Sequence, residues 1–133
     1  YTLLNQEPLE DVFPECEKRE MGIIIGAPYA SGILATGVSK EARYNYATVE
    51  ESIVKRVEAI EKIGANYQVP LKAAALQFPL GHPMVTSIIP GASHPGHVLD
   101  TIEMLKYPIP DEFWGDLKNE GLLYPEAPIP SSE

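Results

Sequence analysis

Two short runs rich in β-branched residues, Ile23-Ile24-Ile25 and Val85–Ile89, limit what this 133-residue chain can fold into more than any other feature. Mostly apolar strands of this kind read as buried on both faces, which happens in parallel sheets covered by helices. Helical patterns do flank them. Leu9, Val12, Phe13 and Cys16 recur at i, i+3, i+4 and i+7, one face of a helix. Pro14 lies inside that pattern and predicts a kink or a delayed start, with Gly22 as the stop. Thr48-Val49-Glu50-Glu51 reads as a capping box that opens a helix whose stripe is Ile53, Val54, Val57 and Ile60. Pro70 fits the first position of a helix over 70–80, where Ala73-Ala74-Ala75 permits close packing. Val98, Leu99, Ile102 and Leu105 mark a helix from near Pro95, and Pro110 starts a last one with Phe113, Trp114 and Leu117 that Gly121 stops. Residues 1–5 read as a short apolar strand, 40–47 as a polar surface loop and 124–133, with three prolines, as an extended tail. The order strand, helix, strand, helix, helix, strand, helix, helix argues for an α/β fold with a parallel sheet. An open doubly wound sheet and part of a (β/α)8 barrel both satisfy it, and three strands are too few to close a barrel of about 250 residues.

Charge narrows the partners. Ten Lys and Arg against 19 Asp and Glu give 10 − 19 = −9, which argues against nucleic acid or an anionic membrane surface as the partner. No apolar run reaches the ~18 residues of a membrane span, and no secretory leader is visible. The single cysteine, Cys16, excludes an internal disulfide and fits a reducing, cytoplasmic setting. The chain opens Tyr1-Thr2-Leu3-Leu4 as though inside a strand, as a fragment of a longer protein would.

In either architecture ligands sit beyond the carboxyl ends of the strands. Those ends are Asn5-Gln6, residues 27–32 and residues 90–93. Small residues in the second let backbone amides approach an anion, although a tight turn needs glycine for its own sake. It is neither G-x-G-x-x-G nor a P-loop. At the third, Ser93 reads as an N-cap with Pro95 just inside a helix, whose N-terminus is a phosphate candidate. His82, His94 and His97 lack metal-ligand spacing, and His82 before Pro83 reads as a turn residue with a solvated ring. No serine occupies a nucleophile elbow. Cys16 reads as a small core residue. Tyr44 and Tyr46 are candidates for a substrate wall, or surface aromatics packing on their neighbours.

The segment Gly26-Ala27-Pro28-Tyr29-Ala30-Ser31-Gly32-Ile33-Leu34-Ala35-Thr36-Gly37 resembles the strand-seven phosphate loop of the aldo-keto reductases. Pro70-Leu71-Lys72-Ala73-Ala74-Ala75-Leu76-Gln77-Phe78-Pro79-Leu80 and Val85-Thr86-Ser87-Ile88-Ile89-Pro90-Gly91-Ala92 are similar to that family's seventh helix and eighth strand. The wording is most similar to the family's D-threo-aldose, L-fucose and pyridoxal dehydrogenases, over most of residues 1–123. The resemblance implies the C-terminal three βα units of a (β/α)8 TIM barrel, strands six to eight, with the N-terminal strands absent and residues 1–5 as strand six. It implies part of an NAD(P)-dependent oxidoreductase acting on a sugar aldose or a related alcohol and aldehyde. The family's Asp, Tyr, Lys and His tetrad would fall before Tyr1, so no residue here inherits a catalytic role and the segment alone is expected to be inactive.

For the cofactor, the resemblance assigns Gly26, Ala27, Pro28, Tyr29, Ala30, Ser31 and Gly32 to the pyrophosphate, with Ser31 as a side-chain donor. Gly26 stands where many members stack a tyrosine on the nicotinamide. Pro90, Gly91, Ala92, Ser93, His97, Asp100 and Thr101 fall to the adenosine end. There Gly91 and Ala92 occupy the 2′-phosphate positions, often Lys and Ser. His97 replaces an Arg, Asp100 matches an acidic residue, and Thr101 replaces the Asn that reads the adenine. A 2′-phosphate calls for a permanent cation, and an ordinary imidazole is mostly neutral at pH 7. NAD is therefore expected to serve at least as well as NADP. The competing expectation is a non-catalytic half-barrel that binds a nucleotide or forms a homo-oligomer through open strand edges.

Overall fold

Residues 1–6 do not run as a strand; they fold back on themselves. In this computed structural model, which describes residues 1–39, 43–44 and 47–131 (43, 44, 47 and 48 by backbone only), Thr2 and Asn5 exchange both backbone hydrogen bonds, at 2.8 and 3.1 Å. The Gln6 amide donates to the carbonyls of Thr2 and Leu3, closing a hook with Leu3 and Leu4 buried inside it. A strand gains its bonds from a neighbour, whereas this segment satisfies its polar groups locally. Arg56 pins the hook from outside, donating to the carbonyls of Leu4 and Leu122.

A 3-10 turn, Glu7–Leu9, leads into α1, Val12–Lys18. Pro14 delays the start as expected and lies in the first turn, where no intrahelical donor is needed. The stop comes two residues before Gly22. Glu20 takes the left-handed conformation at φ 53° and the Met21 amide reaches back to the Cys16 carbonyl at 2.9 Å. Of the expected stripe, Phe13 is buried, Cys16 only half-buried and Val12 exposed, so Cys16 is not a core residue.

Strands β1 (Ile23–Gly26) and β4 (Val85–Ile89) pair in parallel, and the helices supply most of the remaining structure. Neither strand is buried on both faces. Ile25 and Val85 are buried, while Ile24 and Ile89 are 60% and 61% exposed. β1 passes through a second turn, Ala30–Gly32, into α2, Ile33–Thr36. The loop expected over 40–47 lies partly outside the described residues. Within it, β2 (Arg43–Tyr44) pairs with β3 (Ala47–Thr48) as a short antiparallel ladder. Thr48 therefore does not cap the next helix. α3 runs Glu51–Tyr67 with Glu50 at its N-cap and no side-chain cap.

Pro70 caps α4, Leu71–Leu80, instead of entering it, and Ala73, Ala74 and Ala75 are fully buried. α5 covers Pro95–Leu105 and α6 covers Asp111–Asn119. Gly121, at φ 67°, ends α6 with the Leu122 amide bonded to the Leu117 carbonyl at 2.9 Å. Beyond Leu123 no regular element follows among the described residues, yet Ala127 is fully buried and Gly81 packs against the Ile129–Pro130 backbone.

One large core joins α2, α3, α4 and α6 around Leu34, Val57, Ile60, Phe78, Phe113, Trp114 and Leu117. A small separate cluster of Phe13, Ile25 and Val85 underlies the sheet. The apolar stripe of α5 is not part of either: Val98, Leu99 and Ile102 are exposed, and α5 instead turns Asp100 toward Lys72 on α4. No described helix is long and apolar enough to cross a membrane.

Candidate functional site

The parallel register sets Gly26 beside Ile89, so the turns leaving β1 and β4 emerge at the same end of the sheet. The first turn carries four residues of positive φ: Ala27 at 50°, Ala30 at 49°, Ser31 at 60° and Gly32 at 99°. Three of these have a Cβ, and each such placement costs about 1 kcal/mol. Bonds from the Ala30 amide to the Ala27 carbonyl, and from the Gly32 amide to the Tyr29 carbonyl, hold the shape at 2.9 and 3.0 Å. Backbone strain held this way is typical of ligand-binding turns.

Both turns line one cavity of about 560 Å³, within the ~300–1,000 Å³ of small-molecule sites. Tyr29, Gly32, Ala35 and Thr36 form one side, Lys72 comes from α4, and Gly91, Ala92, Ser93, His97, Asp100 and Thr101 form the other. Lys72 Nζ donates to Asp100 Oδ2 at 2.7 Å, and Tyr29 and Thr101 line the same wall. The Tyr29 phenol is raised above its ordinary pKa by burial, with Asp100 adding to the rise and the Thr101 side chain and Lys72 opposing it.

Of the residues singled out by sequence, Tyr29, Gly32, Gly91, Ala92, Ser93, His97, Asp100 and Thr101 come together on this wall. Gly26, Ala27, Pro28, Ala30, Ser31 and Pro90 do not line it, and Pro28 and Ala30 are buried in the base of the turn. Two of the loop amides are already donated within the turn, which leaves fewer for an anion than the sequence implies. The N-terminus of α5 is likewise self-satisfied. His94, not Ser93, caps it, accepting the Gly96 amide at Nδ1 (2.9 Å) while its carbonyl takes the His97 amide. Ser93 turns to His97 instead, its amide 3.4 Å from Nδ1.

Sequence reasoning missed Ala35, Thr36 and Lys72. Lys72 had a signal: it is the one charged residue of a mostly apolar helix, placed in its first turn. His82 is not a solvated turn residue. Its ring sits edge-on to Phe13 with centroids 4.5 Å apart, and its Nδ1 accepts the Met84 amide at 3.1 Å. Tyr46 lies outside the described residues, as does the side chain of Tyr44. A wider groove of about 670 Å³, lined by Asn5, Glu7, Glu10 and Asp11, is acidic and repels anionic ligands.

Whether the cavity suits a dinucleotide can be tested on its glycines. Gly91, which lines it, and Gly26, at the end of β1 outside it, have ordinary φ, and a Cβ at either would meet nothing within 4 Å. Neither the fold nor the packing requires glycine at these positions. Only Gly32 owes its identity to conformation.

A model of the "Aldo/keto reductase family" matches residues 1–120. The chain belongs to this family. Its curated relatives include pyridoxal 4-dehydrogenase of Microbacterium luteolum, 38% identical over 123 residues, covering 92% of this chain and 36% of that protein. D-threo-aldose 1-dehydrogenase of a Pseudomonas species is 35% identical over 124 residues, covering 92% of this chain and 38% of the relative. This aldo/keto reductase chain thus spans under two fifths of those relatives' length. Among solved structures, the glycerol dehydrogenase AKR11B4 from Gluconobacter oxydans superposes with a TM-score of 0.71 at 17% identity, covering 99% of this chain and 43% of that one. The holo form of aldo-keto reductase AKR11C1 from Bacillus halodurans gives 0.66 at 22% identity, covering 99% and 43%. At these identities the likeness speaks for the fold, a portion of an aldo-keto reductase barrel.

Proposed function

We propose that this chain is the dinucleotide-holding part of an NAD(P)-dependent aldo/keto oxidoreductase that acts on an aldose or a related alcohol and aldehyde. One observation carries the reading: the turns after β1 and β4, far apart in sequence, line a single cavity at the carboxyl end of a parallel sheet. In barrels that end is where ligands bind. On this reading β1 and β4 are the seventh and eighth barrel strands, and the hook at residues 1–6 stands where the sixth ends. The substrate class follows the dehydrogenase names of the two relatives.

The residues present fit such a cofactor. Gly32, with Ser31 beside it, faces the pyrophosphate, and Gly91 and Ala92 leave room for the adenosine. Tyr29 and Thr101, both lining the cavity, form a wall against which it orients. Bound, the nicotinamide supplies the hydride chemistry. No residue of this chain is assigned a catalytic role, so the 133 residues alone are expected to show no dehydrogenase turnover. Calorimetric titration with NAD and NADP tests the reading. Gly91→Leu, which the open backbone tolerates, should weaken dinucleotide binding at least ~10-fold, about 1.4 kcal/mol. Undiminished binding by that variant, or no binding by the unaltered chain, overturns it.

A second reading, a self-associating half-barrel, is favoured by the exposure of Ile24, Ile89 and Leu99 (60%, 61% and 64%). Contiguous apolar surface marks an interaction face, and on this reading these side chains contribute to one. Light scattering that gives a monomer at micromolar concentration excludes it.

A further inference from the structure

Resting on the cofactor reading above, we propose that the Lys72–Asp100 ion pair decides whether this cavity accepts a phosphate on the adenosine ribose. Among the described residues lining the cavity, Lys72 is the one Lys or Arg and Asp100 the one carboxylate. They hold each other at 2.7 Å, with side chains only 36% and 37% exposed. Partial desolvation makes such a pair stronger than a fully exposed one. Together they bring the wall to a net charge of zero.

The two nicotinamide dinucleotides differ by one 2′-phosphate, which carries about −1.5 to −2 charges near neutral pH. To hold it, Lys72 must either leave Asp100 or share its ammonium with it, and in both cases the Asp100 carboxylate faces the phosphate's negative charge with less compensation. A 2′-hydroxyl asks for neither change. The pair therefore acts as a filter: it keeps the cation occupied and an anion in place, disfavouring the phosphorylated ligand while leaving the unphosphorylated one unaffected.

The sequence alone hid this, because Lys72 and Asp100 are 28 residues apart on two different helices. The pair also ties α4 to α5, so a purely structural role is the competing account.

The test is calorimetric titration of the chain with NAD, NADP, adenosine 5′-monophosphate and adenosine 2′,5′-bisphosphate, the last two differing only in the 2′-phosphate. Asp100→Asn should raise the affinity for NADP and for the bisphosphate about 10-fold, ~1.4 kcal/mol. NAD and the monophosphate should not share that gain, so the affinity ratio within each pair of ligands rises. Adding Lys72→Met to Asp100→Asn should abolish that gain. If Asp100→Asn weakens all four ligands alike and lowers the melting temperature, the pair is a structural bolt and the proposal is overturned. It is equally overturned if the double variant keeps the gain, since Lys72 would then not be the phosphate's partner. If the unaltered chain binds none of the four, the cofactor reading falls and this proposal with it. Binding without a change in discrimination sinks this proposal alone.

Discussion

His82 shows what a single side chain can hide from its own neighbours in sequence. The residue precedes Pro83, a pairing that reads as a solvated turn, yet its ring lies against Phe13 and Tyr1. Burial lowers its pKa, with Glu17 partly opposing the shift. Its Nδ1 can accept the Met84 amide only while unprotonated. As pH falls, the unfolded chain, whose imidazole titrates near 6.5, takes up the proton before the folded one does. This contribution to stability is therefore complete above about pH 6.5 and is lost as pH drops from there toward the lower folded value. Urea denaturation from pH 7.5 to 5 should show a falling midpoint, and His82→Gln should flatten that slope. An unchanged slope would show that other groups set the acid limb. Lys72 and Asp100 are legible in part: the resemblance reached Asp100 through its position in a motif, whereas Lys72 needed the packing of α4 on α5.

The elements were read more reliably than their ends. β1, β4, α4, α5 and α6 all lie where periodicity and β-branching put them, because those signals are distributed over many residues. Their caps were misjudged wherever one residue had to carry the inference. Thr48 was spent in β3, His94 displaced Ser93, and Glu20 replaced Gly22 as the stop for α1. Two Schellman-type ends now permit a matched experiment. At Glu20 a side chain occupies the left-handed conformation, and at Gly121 none does. Glu20→Gly should stabilise the chain and Gly121→Ala should destabilise it, each by about 1 kcal/mol. Thermal melts of the two variants should shift in opposite directions, and shifts in the same direction would refute the account. The stripe of α5 carries a different lesson. Periodicity reports correctly that Val98, Leu99 and Ile102 share a face, but it cannot say whether anything covers that face.

Across the whole molecule, the parallel α/β character was legible because strands and helices alternate, and the common outlet of the two turns follows from that topology. Residues 1–6 escaped because an apolar segment alone does not reveal whether it will find a strand to pair with. Expected burial of the strands failed for a related reason, since hydrophobicity records the environment a segment suits, not the one this chain provides. The split between a broad helical core and the small cluster of Phe13, Ile25 and Val85 has one more consequence. Three buried side chains, with Tyr1, Leu9, Ile23 and Ile88 packed partly against them, anchor the paired strands, so local opening there sacrifices less than opening of the helical core. Amide protons of Ile25 and Ile88 should exchange with deuterium orders of magnitude faster than those of Ile60 and Leu76, through fluctuations that leave the helices intact. Equal protection factors across both regions would mean that the molecule opens only as a unit.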